Sequence, residues 1–309
     1  MAVSGAAWQA FDESKGSRKR IVSSPMEHDA VRMSLTALKR RGFDIQHCKV
    51  DSQGIVDLES IKTLVDGTTA VVNVMLANNE VGTIQPIAEI SGFAKAHGAL
   101  ASCDAVQAAG KLPIDVRALG VDLLSISGHK LNAPKGVGAL YVRKGTRLAQ
   151  VITGHQEKNR RGGTENVAGI VGLGVACELA RKDLSKTEGY LALRRKLEKA
   201  VLGIPGSRLN GHPDRRLPSV AHFSFEGVDG HQLVVALDLE GICVSAGPAC
   251  SSGASMASHV LLSMGCDEAW ATGSIRVSMG WGTTEADVDR LLAVLPKAVE
   301  KLRRVHASL

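Results

Sequence analysis

Ser127-Gly128-His129-Lys130 closes the apolar run Val121-Asp122-Leu123-Leu124-Ser125-Ile126 and leads at once into Asn132-Ala133-Pro134-Lys135-Gly136-Val137-Gly138-Ala139-Leu140-Tyr141-Val142. The first run reads as a strand, the Gly- and Pro-punctuated stretch as a turn, and the last residues as a second strand-like run. A lysine placed where a buried strand empties into a glycine loop can be desolvated enough to react as a neutral amine with a carbonyl. Taken alone, Lys130 reads more simply as a surface lysine after a core strand. Its surroundings decide between the two.

Working outward, short apolar runs alternate with helical periodicity. Strands are expected over 21–24, from 42, and over 70–75, 99–103 and 123–127, with helices over 28–41, 58–65 and 87–97. This alternation argues for an α/β fold with a parallel sheet and with ligands gathered at the carboxyl ends of the strands. From about Thr164 the pattern changes to long helices over 166–181 and 189–201. Weaker strands follow over 219–225 and 273–278, then an amphipathic helix over 285–304. A boundary near residue 186 is expected, with a large domain over 1–186 and a smaller α+β domain over 187–309.

Ser245-Ala246-Gly247-Pro248-Ala249-Cys250-Ser251-Ser252-Gly253 surrounds one cysteine with small residues, Gly and Pro, which describes an exposed loop. Cys177 and Cys243 suit the usual role of free cysteines as small buried hydrophobes. Cys250 does not, because its neighbours offer no apolar shell, and a thiolate on a loop is a nucleophile that can reach a substrate.

Composition bounds the function. The 309 residues are long enough for two domains, and 44% hydrophobic against 22% charged residues excludes a disordered chain. Six cysteines form no Cys-x-x-Cys pair, so neither a zinc ribbon nor a disulfide framework is suggested. Aromatic residues are 3%, too few for a stacking platform, so no nucleic-acid partner is expected. No long apolar run or signal layout points to a membrane, and a cytoplasmic protein is expected. The net charge of +6 suits an anionic cofactor and acidic protein partners.

Together with Ala101-Ser102-Cys103-Asp104-Ala105-Val106-Gln107, the lysine and cysteine stretches resemble the cysteine desulfurases, pyridoxal-phosphate enzymes of the class V aminotransferase group. The resemblance covers nearly everything from about Arg20 onward. It implies a fold-type I pyridoxal-phosphate-dependent transferase with a mostly parallel sheet in the large domain and a smaller C-terminal α+β domain. It makes Asp104 the partner of the protonated pyridine nitrogen, which keeps the ring an electron sink, and Gln107 a hydrogen-bond partner of the ring hydroxyl. Ser127 and His129 become phosphate ligands, Lys130 the lysine that binds the cofactor covalently, and His28 an imidazole stacked on the ring. Asn79 lies beside the ring oxygen and the substrate carboxylate, and Arg276 forms the two-pronged pair with that carboxylate. Arg160-Arg161-Gly162-Gly163-Thr164-Glu165-Asn166 reads as a helix start with Thr164 near the cap. In the family this threonine reaches the phosphate of the other subunit, which implies a homodimer with shared sites.

The implied reaction converts L-cysteine to L-alanine and leaves the sulfur on Cys250 as a persulfide. The spread-out stretch from Ala254 to His259 looks like the long-loop type that serves iron–sulfur cluster assembly, the nitrogenase-dedicated form included. A sulfur-acceptor scaffold protein is then the partner, and Cys250 a transient ligand of the iron–sulfur cluster. A selenocysteine lyase or another class V aminotransferase shares Lys130, Asp104 and Arg276. A truncated remnant that keeps only the dimer surface is the non-enzymatic alternative. The chain departs from the family pattern at Ser102, Pro248 and Trp281, where histidine, serine and arginine are usual. It also lacks the family's opening Asn-Asn-Ala-Thr-Thr segment and its Thr-Glu-Ala-Asn phosphate turn. Met1-Ala2-Val3-Ser4-Gly5-Ala6-Ala7-Trp8 resembles the continuation of the helix that follows that turn, so a large domain incomplete at its N-terminus is expected.

Overall fold

The computed structural model describes residues 1–247 and 257–306. The chain forms two compact units. Met1–Val50, Val56–Asn78 and Gln85–Leu184 make the first, and Asp51–Ile55, Asn79–Ile84 and Ser185–Leu309 the second.

The first unit is built on a six-stranded sheet of β1 (Arg20–Ser23), β2 (Asp44–His47), β3 (Thr69–Asn73), β4 (Leu100–Asp104), β5 (Leu123–Ser127) and β6 (Gly138–Val142), in the order β2-β1-β3-β4-β5-β6. All pairs are parallel except β5–β6. The antiparallel edge has a simple cause. The turn after Lys130 is too short for a crossover, so the chain can only double back. Thr69-Ala70-Val71-Val72-Asn73 is buried throughout, as a central strand covered on both faces must be. The helices Asp29–Lys39, Leu58–Leu64 and Ile87–Ala96 supply the crossovers. Asp57 caps the second of these by accepting from Glu59 N at 2.9 Å. The helix Ala2–Glu13 buries Val3, Ala6 and Ala7 against Ile21, Leu35, Leu38 and Val71. Trp8 meets Phe43 edge-on at 4.8 Å between centroids and Phe11 at 5.6 Å. The strand expected from 42 begins at Asp44, because Gly42 turns at a φ of +89° and Phe43 drops into this core.

The second unit holds an antiparallel sheet of β7 (Ser207–Leu209), β8 (Val220–Phe225), β9 (Ser245–Ala246) and β10 (Ser274–Ser278), in the order β7-β8-β10-β9. The helices Thr187–Val201, Gly230–Asp238 and Glu285–His306 cover it, and Phe223, Phe225, Leu197, Leu233, Leu237 and Leu295 fill the space between, all fully buried. Sequence periodicity leaves Gly230–Asp238 and the short strands β7 and β9 unassigned; two- and three-residue strands carry too little alternation to read.

Candidate active site

In the first unit the candidate residues lie where the parallel strands end. The connection from β1 runs to β2 on one side and that from β3 to β4 on the other, the reversal of strand order at which α/β sheets offer a crevice to ligands. Glu27 and His28 follow β1, Asp104 ends β4, and Ser127 ends β5. His28 caps the helix Asp29–Lys39, its Nδ1 accepting from Ala30 N at 3.1 Å, and this fixes the exposed ring beyond the strand end. Asp104 is half-buried, and its Oδ1 accepts from Val106 N at 2.9 Å. Burial pushes its carboxyl up, opposed by the Val106 donor and the nearby His28. Gln107 offers its side-chain carbonyl to Lys111 Nζ at 3.0 Å.

Lys130 sits on the 3₁₀ turn Gly128–Leu131, which ends at Asn132 with a left-handed φ of 62°. Ser127 Oγ and His129 Nδ1 are 2.8 Å apart on the same turn. Glycine is required next to it. A Cβ on Gly138 would lie 2.6 Å from the Ile126 carbonyl, so the returning strand passes too close for any side chain. The lysine side chain is exposed, and the burial expected to activate its amine is not supplied by the described residues of this chain. Thr164 is exposed, and the cap of the helix Val167–Asp183 is not Thr164 but Asn166, which accepts from Gly169 N at 3.1 Å.

The second unit brings Asn79 and Arg276 together. Arg276, on β10, donates from Nη1 to the Asn79 carbonyl at 2.8 Å and from Nη2 to Ser245 Oγ at 3.4 Å. Its cross-strand neighbour His222 is fully buried, and burial with the charges of Arg276 and Arg216 holds that imidazole down at about 3. A neutral ring there leaves the guanidinium as the charge available to an anion. Cys250 lies outside the described residues. Among the described residues no group of three or more His, Cys, Asp or Glu side chains is placed to hold a metal ion.

Two features escape sequence reading. Glu27 is fully buried, with Oε1 accepting from Met75 N at 2.8 Å and Oε2 from Asn73 Nδ2 at 3.1 Å. Asn78 and Glu80, in the polar segment that follows β3, are also buried. A carboxylate beside a histidine at a strand end carries no local sign that it faces inward.

The sequence profile described as aminotransferase class-V matches residues 4–291. The chain belongs to that family. It is 42% identical to cysteine desulfurase 2 of Trichormus variabilis over 302 residues, covering 97% of this chain and 76% of that protein. With the cysteine desulfurase IscS of Dictyoglomus turgidum it shares 44% over 311 residues, 99% of this chain and 77% of the relative. Among solved structures, a NifS-like protein superposes with a TM-score of 0.84 at 36% identity, covering 97% of this chain and 78% of that one. The NifS-like protein from Rickettsia africae gives 0.83 at 30%, with 96% and 80% covered. The likeness extends over both units, so this class V member has the α/β fold expected of it.

Proposed function

We propose that this chain is a pyridoxal 5′-phosphate-dependent cysteine desulfurase, which takes sulfur from L-cysteine onto Cys250 and releases L-alanine. The observation that carries the reading is Asp104, a half-buried carboxyl at a strand end whose burial is only partly offset by one backbone donor. A protonated pyridine nitrogen is the partner that returns it to its charged form. The Ser127 hydroxyl, the His129 imidazole and the Lys130 amine share the neighbouring turn, donors of the kind that a phosphate dianion and an aldehyde require. The donor set fits the cofactor. Identity of 42–44% with cysteine desulfurases across nearly the whole chain supports the substrate, as does a 30% identical solved structure described as SspA in complex with cysteine.

When bound, the cofactor ring supplies an electron sink for the Cα–H electrons of the substrate. Asp104 would face the ring nitrogen and favour its protonated form, and His28 would lie against the ring. Arg276 and Asn79 hold the substrate carboxylate, and Lys130 Nζ takes the Cα proton. The Cys250 thiolate then attacks the substrate sulfur. The new S–S bond would form as the Cβ–S bond breaks, Cβ would take a proton, and Lys130 Nζ would return a proton to Cα to give alanine. The persulfide passes to an acceptor protein of iron–sulfur cluster assembly.

A homodimer completes the site. The helix Val167–Asp183, just beyond Thr164, exposes Val167, Ile170, Val171, Val175 and Leu179, an apolar stripe that a second copy would cover. Val171→Asp is expected to shift the protein to a monomer in sedimentation analysis. Among the described residues no helix is long and apolar enough to cross a membrane. The decisive experiment adds pyridoxal phosphate, reduces with borohydride and maps the adduct, alongside an assay of alanine from L-cysteine. An adduct at Lys130 and alanine formation are expected. Labelling of a different lysine, or no alanine, overturns the reading.

A further inference from the structure

In the sheet of the first unit, β3 lies between the strand that leads to His28 and the strand that ends at Asp104. β3 contributes no candidate residue to this unit, yet its exit holds both neighbours. The N–H groups of that exit alternate in direction. Val74 N donates to the Ser102 carbonyl at 3.2 Å and Leu76 N to the Asp104 carbonyl at 2.8 Å, both toward β4. Met75 N, between them, points toward β1. There the parallel ladder has already ended, with Ser23 paired to Asn73. The chain then turns at Pro25 and Met26. Met75 is 2% exposed, so its N–H needs an acceptor from within the fold.

Glu27 supplies it. Its Oε1 accepts from Met75 N at 2.8 Å and its Oε2 from Asn73 Nδ2 at 3.1 Å, so one side chain continues the ladder that β1 has left. The turn before it is laced to the same exit. Asn78 Nδ2 donates to the Met26 carbonyl at 3.1 Å, and Ser24 Oγ accepts from Met26 N at 3.0 Å. Ser24, Met26, Glu27, Asn73 and Asn78 are all buried. His28 follows directly and caps its helix through Ala30 N. A continuous path therefore runs from His28 through the Glu27 side chain, Met75 and Leu76 to Asp104. The imidazole and the carboxyl at its ends sense each other, because His28 opposes the rise of Asp104. Burial lifts the Glu27 carboxyl to about 8, so near neutral pH it is protonated and leaves the charge of Asp104 unopposed.

We propose that Glu27 is a positioning residue, the side chain that sets the spacing of the His28 imidazole and the Asp104 carboxyl across the exits of three strands. The inference rests on the desulfurase reading only for what that pair would grip, the ring of the cofactor. A ring held by an imidazole against its face and a carboxylate at its edge tolerates little displacement, because the hydrogen bond at the edge is directional. Glu27 touches neither cofactor nor substrate in this scheme. It acts through the two residues that would. Ser127 and His129 stand beyond β5, a further strand away from β1, so the grip on the phosphate is separate from the grip on the ring.

The test compares three variants with the parental chain. Glu27→Ala removes both acceptors, Glu27→Gln keeps the one for Met75 N, and Asn73→Ala removes one leg of the bridge. Pyridoxal phosphate is titrated into each and binding is read by absorbance. Glu27→Ala should weaken binding about 10-fold or more, with Asn73→Ala and Glu27→Gln each within about threefold of the parental chain. In the double variant His28→Ala/Asp104→Ala, adding Glu27→Ala should cost less than about twofold, because the residues it acts through are gone. A side chain that serves stability alone costs the same in both backgrounds. The second measurement needs no cofactor. The ring-proton resonance of His28 should move on Asp104→Asn in the parental chain and in Glu27→Gln, and stay in place in Glu27→Ala. Equal losses in the two backgrounds, full affinity in Glu27→Ala, or a His28 response that is absent from the parental chain or survives in Glu27→Ala overturns the positioning role. Should Glu27→Ala fail to fold, Asn73→Ala carries both measurements, with the same signs and smaller effects. A parental chain that binds no pyridoxal phosphate would instead defeat the desulfurase reading, and the His28 response would still decide the positioning.

Discussion

Replacing Glu27 by glutamine tests whether the end of β1 holds a proton that the unfolded chain gives up. Burial is the dominant influence on this carboxyl and lifts it from 4.5 to about 8, with Asp104 adding to the rise and the Met75 and Asn73 donors opposing it. The sign follows from proton counting. Between about pH 4.5 and 8 the folded chain binds one proton here and the unfolded chain none, so stability falls as pH rises through that window and levels off above it. At 1.36 kcal/mol per unit, the full window of 8 − 4.5 = 3.5 units corresponds to about 5 kcal/mol, and the part from pH 6 to 8 to about 3 kcal/mol. Glutamine is neutral at every pH, keeps an acceptor for Met75 N, and can pair with the Asn73 amide after a flip. Urea unfolding of the cofactor-free chain at pH 6, 7 and 8 gives the measurement. The parental protein should lose about 3 kcal/mol more than Glu27→Gln across that range. Groups away from Glu27, such as His222, act alike in both proteins and cancel in the difference. Cys48 and Cys103, both held up mainly by burial, are pushed further up by the Glu27 charge. Parallel slopes in the two proteins would show that Glu27 is ionised in the folded chain and that its burial is answered by other means.

Three further outcomes are expected. Cys250→Ser should retain cofactor loading and L-cysteine binding while forming no persulfide by mass spectrometry; alanine at the parental rate would move the sulfur-accepting role to another cysteine. Arg276→Lys loses the planar fork that matches a carboxylate, a loss of about 1.5–3 kcal/mol. It should raise KM for L-cysteine roughly 10- to 100-fold with cofactor affinity unchanged. Gly138→Ala places a Cβ 2.6 Å from a backbone carbonyl and should cost about 1–3 kcal/mol in urea unfolding. Gly92→Ala, in the helix Ile87–Ala96 with nothing within 4 Å, should instead stabilise the same unit by roughly 0.5–1 kcal/mol.

The fold was legible where a local rule produces it. Thr69–Asn73 announces a covered strand because every residue of the run is apolar, β-branched or terminal. Glu285–His306 announces an amphipathic helix by its period. The strand–helix spacing implied a parallel sheet, and the antiparallel β6 departs from it for a reason also present in the sequence, a turn too short to cross over. β7 and β9 were illegible because their pairing is decided by distant partners rather than by their own few residues.

The candidate site divides along the same line. Lys130, Asp104 and Cys250 stand out because their neighbours are unusual for surface residues: a glycine turn that a Cβ would block, an Asp-Ala-Val-Gln strand end, a cysteine without an apolar shell. Glu27, Glu80 and Ser258 have ordinary neighbours, and their burial appears only in contacts. Glu27 is buried by residues of β3 and its exit some 46–48 positions away, and Glu80 meets Ser258 across 178 positions. A reactive group must be presented, and presentation leaves a local mark in turns and small residues. A positioning group must be enclosed, and enclosure is a property of the whole fold. Residues of the second kind are therefore the ones a sequence conceals, and substitution at Glu27 is the most direct probe of what the fold adds to the motif.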